Sequence, residues 1–167
     1  MELLAISGSL RTTSSNAAIV RAIARLASVP VRVYEGVGAL PHFSPDLDVD
    51  PWPPEVVALR RAVGAAAGLV IATPEYAHGM PGSLKNALDW LVSATEPIDK
   101  PVLLVSASPS GAAHAHAQLT EVLRTMSMRV IDGGAHMFSR AKLDPAGEVV
   151  DAGMLDALRT GLAHIFG

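Results

Sequence analysis

Short apolar runs alternate along the chain with longer stretches of helical period. Five runs read as strands: Leu3–Ser7, Val31–Glu35, Gly68–Thr73, Val102–Ser106, and a fifth at Arg129–Ile131 or Ala135–Met137. They lack strict alternation, as strands buried on both faces do. Between them, Asn16–Leu26 is rich in alanine and isoleucine, and Pro54–Ala67 opens with proline and Glu55, the usual chemistry of a first turn. Pro81–Ala94 sets Leu84, Ala87, Leu88, Leu91 and Val92 on one apolar stripe. Ala112–Met126 and Ala152–Ile165 complete the helices. These βα units predict one domain over residues 1–167, an open parallel sheet with helices on both faces and strand order 2-1-3-4-5.

One segment breaks the alternation. Gly38–Pro54 (GALPHFSPDLDVDPWPP) holds five prolines and no period, so it reads as a long loop. Its Asp46, Asp48 and Asp50 match no calcium-loop spacing and are expected to be solvated.

Composition narrows the function. Half of the residues are hydrophobic but only 4% are aromatic, which suits small-residue helices packed on a sheet. The net charge of −3 leaves no basic footprint for nucleic acid. With no cysteine, there is no disulfide scaffold, thiol nucleophile or thiolate metal site. The N-terminal stretch lacks a basic region followed by a cleavage site, and the apolar runs are too short to cross a bilayer. A cytoplasmic protein without membrane contact is expected.

In such a sheet, ligands bind beyond the carboxyl ends of the strands, where strand order reverses. The loop after the first strand reads GSLRTTSSN, from Gly8 to Asn16. The hydroxyls of Ser9, Thr12, Thr13, Ser14 and Ser15 and the Arg11 fork, followed by the free N–H groups of a helix start, make an anion cradle. A serine that merely caps the helix is the simpler reading, but a cap needs one such residue and this stretch supplies many. No Walker or Gly-x-Gly-x-x-Gly pattern occurs here.

The loop after the third strand, TPEYAHGMPGSLKNALDW, runs from Thr73 to Trp90. Pro74, Glu75, Tyr76, Ala77, His78 and Gly79 offer backbone amides to a flat heterocycle, with Tyr76 or Met80 near its edge. The loop after the fourth strand offers Ser106, Ser108, Ser110 and Gly111. His114 and His116, two apart on a helix, face different ways and would not share a metal ion.

Together these two motifs resemble the NADPH-dependent FMN reductase family, whose members include quinone, chromate and azo-dye reductases on the flavodoxin-like three-layer α/β fold. The family pattern Gly-Ser-Leu-Arg-x-x-Ser-x-Asn maps onto Gly8, Ser9, Leu10, Arg11, Ser14 and Asn16. Its Pro-Glu-Tyr-Asn and Pro-Gly-x-Leu-Lys-Asn-Ala-x-Asp-Trp patterns map onto Pro74–Tyr76 and Pro81–Trp90, with Ala77 in place of the asparagine.

The resemblance implies FMN as cofactor and NADPH or NADH as co-substrate. It places the phosphate on Ser9, Arg11, Ser14 and Asn16, with Asn16 holding the helix start and Thr12, Thr13 and Ser15 left to solvent, the ring against Pro74 to Gly79, and Ser106 to Gly111 on its other side. It implies two-step hydride transfer through flavin to a quinone or similar small acceptor. It also implies a homodimer or homotetramer, with the helix around Lys85–Trp90 near the contact. Two alternatives remain at this stage: a non-enzymatic flavodoxin-type electron carrier, and a flavin-independent binding module on the same fold.

Overall fold

The computed structural model describes residues 1–11 and 13–165. Its elements, in chain order, are β1 (Leu3–Ser7), α1 (Ser15–Leu26), β2 (Val31–Tyr34), α2 (Pro54–Ala65) and β3 (Gly68–Thr73). They continue with α3 (Gly82–Asp89), β4 (Pro101–Ser108), α4 (Ala113–Thr125), β5 (Arg129–Met137) and α5 (Ala152–Ala163). The strands form one parallel sheet in the order β2-β1-β3-β4-β5, as the alternation of elements predicts.

Successive strand residues face opposite layers. Leu4, Ile6, Leu69, Ile71, Val102 and Leu104 pack under α2, α3 and α4. Leu3, Ala5, Val70, Ala72, Leu103 and Val105 pack under α1 and α5. Both faces are covered, which is why β1, β3 and β4 read as unbroken apolar runs.

Three expectations change. The two candidate fifth strands are one strand, interrupted by a register shift opposite Leu104 and Ser106. Gly133 and Gly134 absorb it: a Cβ on Gly133 would stand 2.7 Å from the Leu104 carbonyl, and Gly134 has φ 88°. These two glycines hid the strand's continuity in the sequence.

α3 ends at Asp89 rather than near Ala94. The buried Arg60 guanidinium reaches from α2 and donates to the Trp90 carbonyl at 3.1 and 2.9 Å. Beyond it the chain tightens into i→i−3 turns, with Leu91 N bonded to Leu88 O at 3.0 Å. Val92 therefore leaves the apolar stripe and is 65% exposed.

The proline-rich loop is fastened rather than free. Asp46 and Asp50 are exposed, but Asp48 is held at 2.8 Å by Arg60 and at 3.0 Å by the Trp52 indole N–H. Hydrogen bonds from Ser93, then Trp52 and Arg60, hold the Asp48 carboxyl below its ordinary pKa despite its burial. Asn86 clamps the same loop, accepting the Phe43 N–H at 2.8 Å and donating to the Pro41 carbonyl at 3.0 Å. The Trp90 indole donates to that carbonyl at 2.8 Å, and Phe43 stands edge-on to its ring. Trp90 is fully buried, so this side chain packs within the chain and is not itself available to a subunit contact.

Candidate functional site

The carboxyl ends of β1, β3 and β4 open onto a cleft of about 280 Å³, at the predicted reversal of strand order. Gly8 lies at its base for a packing reason. A Cβ there would stand 2.5 Å from the Thr73 hydroxyl and 3.1 Å from Leu84.

One wall is the loop after β1. The Ser9 hydroxyl accepts the Arg11 N–H at 3.3 Å, leaving its own proton to donate. Ser14 is the N-cap of α1 and accepts the Ala17 N–H at 3.0 Å, so its proton is likewise free to turn outward. Among the described residues, no acceptor meets the N–H groups of Ser15 and Asn16 in this first helical turn. Arg11 is exposed and lines the same cleft.

Asn16 has a different role from the one expected. Ser14, not Asn16, starts the helix. Asn16 is 3% exposed and donates across the cleft floor to the Ala107 carbonyl of β4 at 3.2 Å. Its Oδ1 is buried with no partner among the described residues. Thr13 and Ser15 line the cleft instead of facing only solvent; Thr12 lies outside the described residues.

The opposite wall brings Pro74, Glu75 and Tyr76 from the β3 loop together with Ala107, Ser108 and Pro109 from β4. Phe138 and Ser139 close it beyond β5, where the Phe138 N–H bonds the Ser108 carbonyl at 2.9 Å. Sequence reasoning missed Phe138 and Ser139. The aromatic–hydroxyl pair just after the fifth strand was the available signal.

The rest of the expected site lies behind or beside this wall. Tyr76 and Gly79 exchange hydrogen bonds of 2.9 and 3.0 Å, closing a tight turn with Ala77 at φ 49° and His78 at φ 59°. Ala77 and His78 are exposed, and the His78 ring stacks on His114 with centroids 4.2 Å apart. Gly79 packs toward Gln118, whose side chain accepts the Met80 N–H at 2.9 Å; Met80 itself is buried in the core. Gly111, at φ 101°, sits beside Met137.

Ser106 is fully buried one residue below the cleft. It pairs at 3.0 Å with Nδ1 of His116, whose Nε2 meets Asp132 at 3.1 Å. With the carboxylate accepting from Nε2–H, Nδ1 is the acceptor of the Ser106 hydroxyl. Burial lowers the His116 pKa, outweighing Asp132.

The hydroxyls, helix start and arginine on one wall suit a phosphate. The flat backbone and small side chains opposite suit an aromatic ring. Fold and cleft thus define a nucleotide-binding protein of the doubly wound α/β class. Residues 1–142 match the NADPH-dependent FMN reductase family, and the chain belongs to it.

Among curated relatives, a quinone reductase of Escherichia coli K12 is 34% identical, covering all of this chain and 94% of its own length. An NAD(P)H-dependent FMN reductase of Pseudomonas aeruginosa is 31% identical over 90% of this chain and 85% of its own. Among solved structures, the flavoenzyme NAD(P)H:(acceptor) oxidoreductase FerB of Paracoccus denitrificans superposes with a TM-score of 0.86. It is 25% identical, over 99% of this chain and 97% of that one.

Proposed function

We propose that this chain is an FMN-dependent NAD(P)H oxidoreductase that reduces quinones or similar small acceptors. The observation that carries the reading is the cradle around Asn16. A buried amide oxygen with no partner among the described residues calls for a donor, and a ribityl hydroxyl is one. Beside it the hydroxyls of Ser9 and Ser14, the first-turn N–H groups and Arg11 call for an anion, and the flavin phosphate is one. The residues present therefore fit FMN.

When bound, the flavin supplies the redox chemistry, taking a hydride equivalent from the nicotinamide and passing electrons to the acceptor. The protein's share is binding and orientation. Pro74, Glu75 and Tyr76 would flank the ring on one side and Ser108 on the other. Tyr76, 52% exposed, stands where a flat acceptor can stack. No nucleophile or acid–base dyad is required of the chain.

Two further features belong to this proposal. The exposed Val92 and Ile98, just beyond α3, support a homodimer or homotetramer formed near that helix. No described helix is long and apolar enough to cross a membrane, and reliance on a nicotinamide reductant supports cytoplasmic operation.

The test is steady-state oxidation of NADPH and NADH by the FMN-loaded protein with menadione as acceptor. Turnover with either nicotinamide is expected. A flavin-bound protein that oxidised neither would instead be an electron carrier.

A further inference from the structure

A second cavity of about 300 Å³ lies beyond the anion cradle and shares Thr13 and Ser14 with the cleft. It is bounded by Arg21 on α1 and by the turn 143–147 that follows β5. That turn is firmly built. The Asp144 N–H donates to the Glu148 carbonyl at 2.9 Å, the Gly147 N–H donates to the Asp144 carbonyl at 2.9 Å, and Asp144 Oδ1 accepts the Glu148 N–H at 2.9 Å. Arg21 ties it to α1, through Glu148 at 2.9 Å and the Gly147 carbonyl at 2.7 Å.

The chemistry around this space is mixed in a specific way. Arg21 is a guanidinium with N–H donors beyond the two it uses, and Thr13 and Ser14 add hydroxyls. Asp144 brings a carboxylate, of which one oxygen is engaged by Glu148. Leu143, Pro145 and Ala146 give an apolar surface. A cation with hydroxyls meets a phosphate, a carboxylate meets the hydroxyls of a ribose, and an apolar wall meets a base. The shared residues Thr13 and Ser14 put the phosphate end of such a ligand next to the cradle, where a pyrophosphate link would pass.

We propose that this cavity takes an adenylate group, as the second half of a flavin dinucleotide or as a separate adenine nucleotide. The inference rests on the reading that a flavin phosphate occupies the cradle. It adds a nucleotide subsite that FMN alone does not fill.

The experiment titrates flavin-free protein with FMN and with FAD by fluorescence, and FMN-loaded protein with 5′-AMP by calorimetry. Ala146→Trp fills the cavity. Asp144→Asn removes the charge but keeps an oxygen for the Glu148 N–H. Both variants should bind FMN within about twofold of the native protein, while the adenylate ligand weakens about tenfold, the worth of one charged hydrogen bond.

Loss confined to FAD identifies the dinucleotide as the source, and loss confined to 5′-AMP identifies a separate nucleotide. If neither ligand binds better than FMN alone accounts for, or if both variants leave them unchanged, the proposal is overturned. If FMN itself fails to bind the native protein, the cofactor reading falls and this inference with it. Should Ala146→Trp lose FMN through misfolding, Asp144→Asn decides the matter.

Discussion

Glu75, on the loop after β3, accepts the backbone N–H of Ala115 in the first turn of α4 at 2.9 Å. A residue expected only to flank the ligand thus also caps a helix, and a carboxylate is well placed at that positive end. With Gln118 holding Met80 N and His114 stacked on His78, it fastens the β3 loop to α4.

Glu75→Ala should lower unfolding stability by about 1 kcal/mol, and Glu75→Gln should recover part of it. Urea titration followed by circular dichroism measures both. Equal stability in all three proteins would mean that the cap contributes nothing.

The His116 network gives a pH dependence with a definite sign. Burial holds the folded pKa below the ordinary 6.5, with Asp132 opposing the shift and His136 adding to it. As pH falls through 6.5, the unfolded chain takes up a proton that the folded chain resists, so stability is lost toward acid. His116→Gln should flatten that part of the stability–pH profile. A variant whose profile keeps the same acid limb would remove His116 as its source.

Ala77 sits in the left-handed region at φ 49°, where an L-residue other than glycine or asparagine is strained. Backbone shape alone therefore accounts for an asparagine at this position in the family pattern. Ala77→Asn should stabilise the protein by up to about 1 kcal/mol, seen as a rise in Tm. A fall in Tm would show that the turn does not require that residue type.

The fold was legible because burial of β1, β3 and β4 on both faces leaves an unmistakable apolar signature, and because α-helical stripes separate them. What escaped was decided by side chains distant in sequence. Nothing local to Ala87–Ala94 shows that Arg60 will take the Trp90 carbonyl and end α3 early. The cleft followed from the loops after β1 and β3, whose polar residues exceed what helix capping needs. Asn16 lines the cleft, and its bond to Ala107, spanning 91 positions, is one that no local pattern shows. The resemblance puts the Lys-Asn-Ala-x-Asp-Trp stretch near a subunit contact. Within the chain, its Asn86 and Trp90 hold down the proline-rich loop through Phe43 and Pro41.

The central claim is that the β1 loop holds the phosphate of FMN. The measurement that tests it most directly is the affinity of flavin-free protein for FMN and for riboflavin, with and without Arg11→Ala. The native protein should prefer FMN by roughly tenfold or more, as a charged phosphate contact requires, and Arg11→Ala should reduce most of that preference by weakening FMN alone. Equal affinity for FMN and riboflavin, or a preference untouched by Arg11→Ala, would contradict the account.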